Sequence, residues 1–410
     1  MKDVLTTLIK LVIHRALNVF CQFAKLLPVK NNRIVCISHR HGAQYSDSPK
    51  YITEYLLEHF GDKYEIIWVF DCPDMFKELE KRGIKIIKFN SWKDYYYSNT
   101  AKVYITNLFG PYPNVIKRKD RIIIETTHGV AYKHLVFNNN SSQNEDAIFG
   151  KMIYTYKMNK VDYALSGNRI TTDLVYRDNL GYRGNVIEEG LPRNDIFFKK
   201  NYDIKRKVMS SFGIPEWKRI VILMPTWRKD NSRKIFEIDY QRIINSLKEK
   251  DGCEWVFLIR LHHLSKVDLT EIIKKNNGSV IDASKYSDPQ ELLLASDMLI
   301  TDYSSVVWDF ALQRKPILVY TPDLASYAER QGFNVPPEEW MLYEANTEDE
   351  LYKLIDDNDI DVIAKASEKH LDKFGSFETG EATKRICERI DKYCNSIYPN
   401  DKSVFMKEER

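Results

Sequence analysis

Residues 296–310 read SDMLITDYSSVVWDF and contain the clearest fold signal of the chain. The apolar run 298–300 ends in the polar residues 301–305, after which a helical pattern begins, so we predict a buried strand that leads into a helix. The start of a helix offers unpaired N–H groups and partial positive charge, so it can bind phosphate without a lysine. Ordinary capping, which needs only one such hydroxyl, is the alternative.

The same alternation of short β-branched runs and helical stretches continues on both sides of this segment. Apolar strands separated by helices indicate a parallel sheet covered on both faces. The pattern restarts after residue 200, which predicts two domains with a ligand cleft between them, at residues 31–200 and 201–395, followed by a charged tail at 396–410. The predicted strands are 33–38, 64–70, 84–89, 102–106, 121–126, 162–166, 185–187, 219–224, 255–261, 279–282, 298–301 and 316–320.

The overall composition is typical of soluble globular proteins. The 410 residues carry 61 Lys and Arg against 58 Asp and Glu, a net charge of +3, and 43% of them are hydrophobic. These values exclude a disordered chain and a polytopic membrane protein, and they give no reason to expect a nucleic-acid partner. No two of the six cysteines have C-x-x-C spacing, so we expect free thiols in a reducing cytosol.

The first 30 residues have the apolar spacing of an amphipathic helix. Basic side chains at Lys10, Arg15 and Lys25 interrupt the apolar face, which excludes a spanning helix and a secretory leader. A basic amphipathic helix on an anionic membrane fits this pattern. A helix packed against the protein's own first domain fits it equally well.

A second informative segment, RIIIETTHGVAYKHL at residues 121–135, places a histidine where a buried strand meets a loop. Histidine can act as a general base near neutral pH, so His128 is a candidate for activating a hydroxyl nucleophile. Gly129 lets the backbone come close to a ligand. A purely structural histidine is the alternative.

Further cationic residues follow other predicted strands. Arg193 and Arg228 can each hold phosphate oxygens in bidentate fashion, and either could instead form a surface salt bridge. His262 and His263 are adjacent on a strand and point to opposite faces, so they do not suit one metal ion. The chain contains no G-x-G-x-x-G, P-loop, H-E-x-x-H or G-x-S-x-G motif, and hydroxyls, arginines and histidines at strand ends suit an anionic diphosphate donor.

The chain resembles the CDP-glycerol glycerophosphotransferase family, which builds teichoic acids and related cell-surface polymers. The resemblance implies an α/β, GT-B-like fold in which two Rossmann-like domains, for acceptor and CDP donor, face a cleft. It also implies a peripheral location at the cytoplasmic face of the bacterial cell membrane. The matching motifs are THG at 127–129, GLPRND at 190–195, PTWR at 225–228, ITDYSSVVWDF at 300–310 and KPILVYTPDLASY at 315–327.

By position in these motifs, His128 looks like the family's proposed general base and His262 like its second histidine, thought to bind donor phosphates. His263 stands where the family usually has proline. Asp302 or Asp309 could recruit a divalent ion such as Mg²⁺, although the sequence requires no cofactor and shows no D-x-D metal motif. The predicted substrate-binding residues are Thr127, Gly129, Arg193, Thr226, Arg228, Thr301, Asp302, Ser304, Ser305 and Asp309.

The resemblance therefore implies transfer of a polyol phosphate, with glycerol phosphate favoured, from a CDP-polyol to an acceptor hydroxyl, with release of CMP. The products are teichoic acid or capsule polymers. The implied partners are a CDP-polyol donor, a lipid-linked or polymeric acceptor and the inner-leaflet membrane surface. Two alternatives stay open: a GT-B glycosyltransferase that uses a sugar nucleotide, and a non-catalytic scaffold docked on the membrane.

Overall fold

The computed structural model describes residues 21–129, 145–199, 201–228, 232–262, 264–397 and 401–405. The chain divides into two compact units. Unit 1 comprises Met1–His128, Val136–Asp195 and Phe377–Arg410, and unit 2 comprises Gly129–Leu135 and Ile196–Ser376. Each unit is built on its own parallel sheet, which confirms the prediction of two Rossmann-like α/β domains.

Unit 1 contains a seven-stranded sheet in the order β3-β2-β1-β4-β5-β6-β7. All residues of β4 and β5 are buried, as expected of central strands in a doubly covered sheet. The strands are β1 Lys30–Ile37, β2 Glu65–Phe70, β3 Lys85–Lys88, β4 Ala101–Thr106, β5 Ile122–Glu125, β6 Tyr163–Leu165 and β7 Asn185–Ile187. The helices before β7 are α1 Asp47–Phe60, α2 Trp92–Thr100 and α3 Glu145–Met158, with 3₁₀ turns at Gln22–Leu26, Arg40–Gly42, Gly61–Lys63 and Pro73–Arg82 and a π-helix at Thr171–Asn179.

Unit 2 contains a six-stranded sheet in the order β10-β9-β8-β11-β12-β13. Some of its helices start at side-chain caps: Asp288 accepts from Gln290 N before α7, and Thr347 and Glu350 form a capping box at α10. The strands are β8 Arg219–Leu223, β9 Trp255–Ile259, β10 Val280–Asp282, β11 Met298–Thr301, β12 Ile317–Tyr320 and β13 Tyr343–Ala345. The helices are α4 Tyr202–Ser211, α5 Tyr240–Asp251, α6 Thr270–Lys275, α7 Pro289–Ala295, α8 Val306–Ala311, α9 Leu324–Gln331, α10 Glu348–Asp357 and α11 Ile360–Phe374.

Both sheets reverse their strand order beside the first strand. The reversal lies between β1 and β4 in unit 1 and between β8 and β11 in unit 2. Ligands of open α/β sheets bind at the carboxyl ends of the strands at such a point. The residues that follow β1, β4, β8 and β11 are therefore the places to examine for a site in each unit.

The C-terminal part of the chain corrects the predicted domain limits. We assigned residues 201–395 to one domain, whereas Phe377–Arg410 belongs to unit 1. This segment contains helix α12, Ala382–Asn395. The carboxylate of Asp195 in unit 1 accepts the N–H groups of Ala382 and Thr383 at the start of this helix and so attaches it to unit 1. The predicted charged tail also contains a core residue, because Phe405 is buried and stacks on Tyr163 at 4.5 Å.

Most of the predicted N-terminal amphipathic helix, residues 1–20, lies outside the described residues. The described part continues as the turn Gln22–Leu26, which is fixed to unit 1 where Cys21 and Ala24 pack against Ile116. Arg118 bonds the carbonyls of Ala24 and Leu27. Among the described helices, none has the length and apolar character needed to cross a membrane.

Candidate active site

In unit 1, His128 lies just beyond the carboxyl end of β5. Its Nδ1 is 2.7 Å from the backbone oxygen of Asn107, which follows β4. A carbonyl oxygen can only accept a hydrogen bond, so Nδ1 carries the proton and, in the neutral ring, Nε2 presents its lone pair. This tautomer is the one that a general base needs.

The ring of His128 is held in that neutral form by its surroundings. Protein atoms around the ring desolvate it and lower its pKa from the ordinary value, although part of the residue remains exposed to solvent. The hydrogen bond to Asn107 and the nearby carboxylate of Asp47 oppose this shift, and Arg193 adds to it. Because the pKa is lowered, the base is unprotonated at neutral pH.

Asn107 connects His128 to the switch point of unit 1. Its side chain is fully buried, and its Oδ1 accepts the N–H of His39 at 2.9 Å. Its Nδ2 donates to Asp47 Oδ2 at 2.9 Å and to Ser38 Oγ at 3.3 Å. Asn107 therefore links the ends of β1 and β4, the start of α1 and the candidate base.

Arg193 lies in the interior of unit 1 beside Asp47. It is 4% exposed, and its Nη1 lies 3.3 Å from Asp47 Oδ2 in a buried ion pair. Burial by itself would raise the pKa of Asp47, but Arg193, His39 and the N–H of Ser48 together bring that pKa below its ordinary value. The pair is charged, and the phosphate contact of Arg193 stays a prediction.

The residues next to His128 have unusual backbone conformations. Thr127 is fully buried with φ of +50°, and Gly129 has φ of +149°. A β-branched residue at positive φ is strained, and such strain concentrates at functional sites. The predicted substrate-binding role of Thr127 and Gly129 stays a prediction, while their conformations set the direction of the imidazole between them.

In unit 2, Arg228 is enclosed by acidic and aromatic side chains. Its Nη1 lies 2.6 Å from Asp302 Oδ2, and its Nε and Nη2 lie 2.7 and 3.0 Å from the Asp323 carboxylate. The guanidinium carbon is 5.2 Å from the ring centre of Tyr303 and 4.9 Å from that of Tyr327. Burial would lower the pKa of Arg228, but the two carboxylates raise it above its ordinary value. The phosphate contact that we expected of this guanidinium stays a prediction beside these protein partners.

The acidic candidates of unit 2 are also engaged within the protein. Asp302 is fully buried and accepts the N–H of Thr226 at 2.8 Å in addition to bonding Arg228. The hydroxyl of Thr301 donates to the carbonyl of Met224 at 2.7 Å, which ties β11 to the end of β8. Gln290 donates to Asp309 at 3.3 Å. Thr301 and Asp302 therefore maintain the shape of the strand ends, while Asp309 links α8 to α7.

Ser304 and Ser305 remain as hydroxyls that the described structure does not use internally. Both are partly exposed, and α8 begins at Val306 with Ser305 as its N-cap residue. The Ser305 side chain makes no capping bond, so ordinary capping, the alternative reading of this motif, is absent at this described helix start. Both hydroxyls are therefore available to a ligand at the end of β11.

His262 lies beyond the end of β9 and is exposed. Its Nδ1 accepts the N–H of Leu264 at 3.3 Å, so in the neutral ring Nε2 carries the proton, the reverse of His128. His262 lines an open depression together with Thr226, Trp227, Arg228 and Leu261. The Thr226 Oγ1 and Trp227 Nε1 atoms are buried and have no bond among the described residues.

Sequence reasoning missed Asp47 and Asn107. Asn107 could have been found, because it is the polar residue directly after the predicted strand 102–106, and the same criterion selected His128 after its strand. Asp47 has no such signal, since it reads as the ordinary acidic start of α1. The part of the chain that the structure describes contains no group of three or more His, Cys, Asp or Glu residues arranged to hold a metal ion.

A family model, two related proteins and one solved structure match this chain. The family model described as CDP-glycerol:poly(glycerophosphate) glycerophosphotransferase matches residues 19–392. A teichoic acid poly(glycerol phosphate) polymerase from Bacillus spizizenii is 33% identical over 324 residues, covering 75% of this chain and 78% of that protein. A teichoic acid glycerol-phosphate transferase from Staphylococcus aureus is 28% identical over 405 residues, covering 94% and 99%. The structure of the wall teichoic acid polymerase TagF matches with a TM-score of 0.76 at 27% identity, covering 96% of this chain and 97% of that chain.

Proposed function

The chain belongs to the CDP-glycerol:poly(glycerophosphate) glycerophosphotransferase family, and from this premise we propose that it transfers glycerol phosphate from CDP-glycerol to an acceptor hydroxyl and releases CMP. Family membership confirms the prediction of a transferase of teichoic acid synthesis. The observation that supports the mechanism best is the pair of opposite histidine tautomers. His128 presents a proton acceptor, and His262 presents a proton donor.

In this mechanism His128 is the general base. The acceptor oxygen attacks the β-phosphorus that bears glycerol, and its proton passes to Nε2 of His128. The new P–O bond forms as the bond from the β-phosphorus to the bridging oxygen breaks, and CMP leaves with that electron pair. Positioning and charge stabilisation supply most of the rate enhancement in reactions of this type.

The donor phosphates are assigned to unit 2. The Nε2–H of His262 and the hydroxyls of Ser304 and Ser305 are donors suited to phosphate oxygens. Arg228, by contrast, supports the donor site indirectly, because it fixes the loop after β8 through Asp302 and Asp323. On the same argument Arg193 supports the base through Asp47.

The Mg²⁺ requirement is a separate question. Asp302 and Asp309, the candidate ligands, bond Arg228 and Gln290 respectively. CMP release measured after exhaustive chelation, and again after Mg²⁺ is restored, tests this point.

We further propose that unit 1 docks on the inner leaflet of the membrane to reach a lipid-linked acceptor. Phe23 and Leu26 are 66% and 83% exposed, and Trp92 on the adjoining helix α2 is 77% exposed. Lys25 and Lys93 are exposed beside them in the sequence. Apolar and aromatic side chains flanked by lysines are typical of interfacial binding to anionic lipid. Sedimentation with anionic vesicles, compared for the wild type and the Phe23→Ser/Leu26→Ser variant, tests this proposal, and equal binding by both would refute it.

One assay separates the proposed activity from its rivals. The purified protein is incubated with CDP-glycerol, CDP-ribitol or a sugar nucleotide in the presence of a glycerol-phosphate-primed acceptor, and the nucleotide product is identified. We expect CMP from CDP-glycerol and extension of the acceptor by glycerol phosphate. Release of a nucleoside diphosphate from the sugar nucleotide would instead identify a glycosyltransferase. Absence of any product, together with no stabilisation by CDP-glycerol, would indicate a scaffold.

A further inference from the structure

A fully buried acid, Glu125, lies close to His128 in the chain and has no role in the mechanism above. It is the last residue of β5, and its carboxylate contacts the turn that follows β4. Its Oε2 accepts from Gly110 N at 2.7 Å, and its Oε1 accepts from Thr127 N at 2.8 Å. The N–H of Phe109 also donates to it. One carboxylate therefore joins the turns after β4 and β5.

Both turns contain conformations that side chains rarely adopt. Phe109 and Thr127 have φ of +52° and +50°, and Gly110 has φ of +90°. Such conformations persist only where surrounding contacts enforce them. All three of these residues donate their N–H to the Glu125 carboxylate. A Cβ at Gly110 would lie 2.7 Å from the backbone of Lys157, so this turn is closely packed on that side.

The same turn orients the base. The carbonyl of Asn107, at the start of the turn, accepts the Nδ1–H of His128, and the ring of Phe109 lies 5.0 Å from the His128 ring. A displacement of this turn would therefore move the bond that fixes the tautomer and direction of the imidazole. Glu125 therefore bonds two segments that fix His128: the turn after β4, which holds Nδ1 of the ring, and Thr127, the residue directly before His128.

Burial and hydrogen bonding act in opposite directions on the charge of the Glu125 carboxylate. Burial raises the pKa of Glu125 to about 7, and the backbone N–H donors and the charge of Lys157 limit that rise. Burial lowers the pKa of Lys157 to about 8, and Glu125 opposes this. Lys157 also donates to the carbonyl of Leu108 at 2.8 Å, so it holds the same turn. A glutamine at position 125 would turn its NH₂ group toward at least one of the backbone N–H groups that Glu125 accepts. Two donors cannot form a hydrogen bond with each other.

We propose that Glu125 is a positioning residue for proton transfer, because it holds the turns after β4 and β5 in the conformation that aims Nε2 of His128 at the acceptor hydroxyl. The inference rests on the proposed role of His128 as the base. A residue that acts only through His128 should lose its influence on turnover once the imidazole is gone, whereas a residue that merely stabilises the fold should not.

The test is a double-mutant cycle on CMP release from CDP-glycerol, with wild type, Glu125→Gln, His128→Ala and the double variant. Asp94→Asn is the matched control, because Asp94 is a buried acid of unit 1 whose bonds come from Asn90 N, Ser98 Oγ and Asn114 Nδ2 and not from the residues that Glu125 holds. We expect Glu125→Gln to lower kcat about 10–100-fold, as misplacement by about 1 Å does, with little change in donor KM. We expect the double variant to match His128→Ala within about twofold, and Asp94→Asn to keep the wild-type kcat.

The inference fails if the effects of Glu125→Gln and His128→Ala on kcat multiply in the double variant. It also fails if Asp94→Asn lowers kcat as much as Glu125→Gln does. In both cases Glu125 is a structural residue, and the proposed function stands. If His128→Ala turns over like wild type, both fail. Glu125→Asp provides a second variant in case Glu125→Gln does not fold, because aspartate keeps the charge but is one methylene shorter and cannot bond the turns after β4 and β5 at once. It should lower kcat and show the same loss of effect in the His128→Ala background, and an unchanged kcat would overturn the inference.

Discussion

Replacement of Arg228 by methionine distinguishes a buried ion pair from a phosphate ligand. The change removes the bonds from Nη1 to Asp302 and from Nε and Nη2 to Asp323, and it leaves both carboxylates in the protein interior. Removal of one partner of a buried ion pair costs about 3–5 kcal/mol, because the remaining charge is uncompensated. For a domain of this size each kcal/mol lowers the melting midpoint by about 2–4 °C, which gives a decrease of about 6–20 °C.

The assay is thermal melting combined with calorimetric titration of CDP-glycerol on the same preparations. Arg206→Met is the control, since Arg206 is an arginine of unit 2 whose side chain is 59% exposed and pairs with Glu216 at the surface. Loss of an exposed pair changes stability by about 0–1 kcal/mol. An Arg228→Met protein that melts like wild type, but binds CDP-glycerol at least about tenfold more weakly, a loss of about 1.4 kcal/mol, would show that Arg228 is a phosphate ligand and refute this reasoning.

The remaining predictions concern pH and the donor site. Because burial lowers the pKa of His128 and the base must be unprotonated, kcat/KM for CMP release should fall on acidification with a midpoint below about 6.5. The negative charge of Asp47 opposes that lowering, so Asp47→Asn should move the midpoint to still lower pH, and a shift to higher pH would contradict the electrostatic assignment. Ser304→Ala combined with Ser305→Ala should raise the KM for CDP-glycerol more than the KM for the acceptor. Equal effects on both KM values would remove these hydroxyls from the donor site.

The strands were largely accessible from the sequence. The runs 185–187 and 298–301 match β7 and β11 at both ends, because polar or turn residues bound a short apolar segment on each side. Strand β13, Tyr343–Ala345, was missed because three residues with one buried side chain carry almost no periodic signal. The segment 75–82 has a helical pattern in the sequence, yet it lies in a 3₁₀ helix, Pro73–Arg82, that has no fully buried residue.

Site geometry was less accessible, because it depends on partners distant in the chain. The apolar pattern of the sequence correctly predicted that His128 follows one strand, β5, and that Ser304 and Ser305 follow another, β11. The partners of Arg228 are 74 and 95 residues away, and the partner of Arg193 is 146 residues away. An arginine at a strand end looks the same in a sequence whether it faces a ligand or a buried carboxylate. Only the fold decides between these two cases.

The assignment of His128 as the base is tested most directly by single-turnover CMP release from His128→Ala with CDP-glycerol bound. Loss of a general base lowers the rate typically about 10²–10⁴-fold, and we predict a loss in this range with the wild-type dissociation constant for CDP-glycerol. A variant that releases CMP at the wild-type rate, or one whose entire loss of rate is explained by weaker donor binding, would contradict the account.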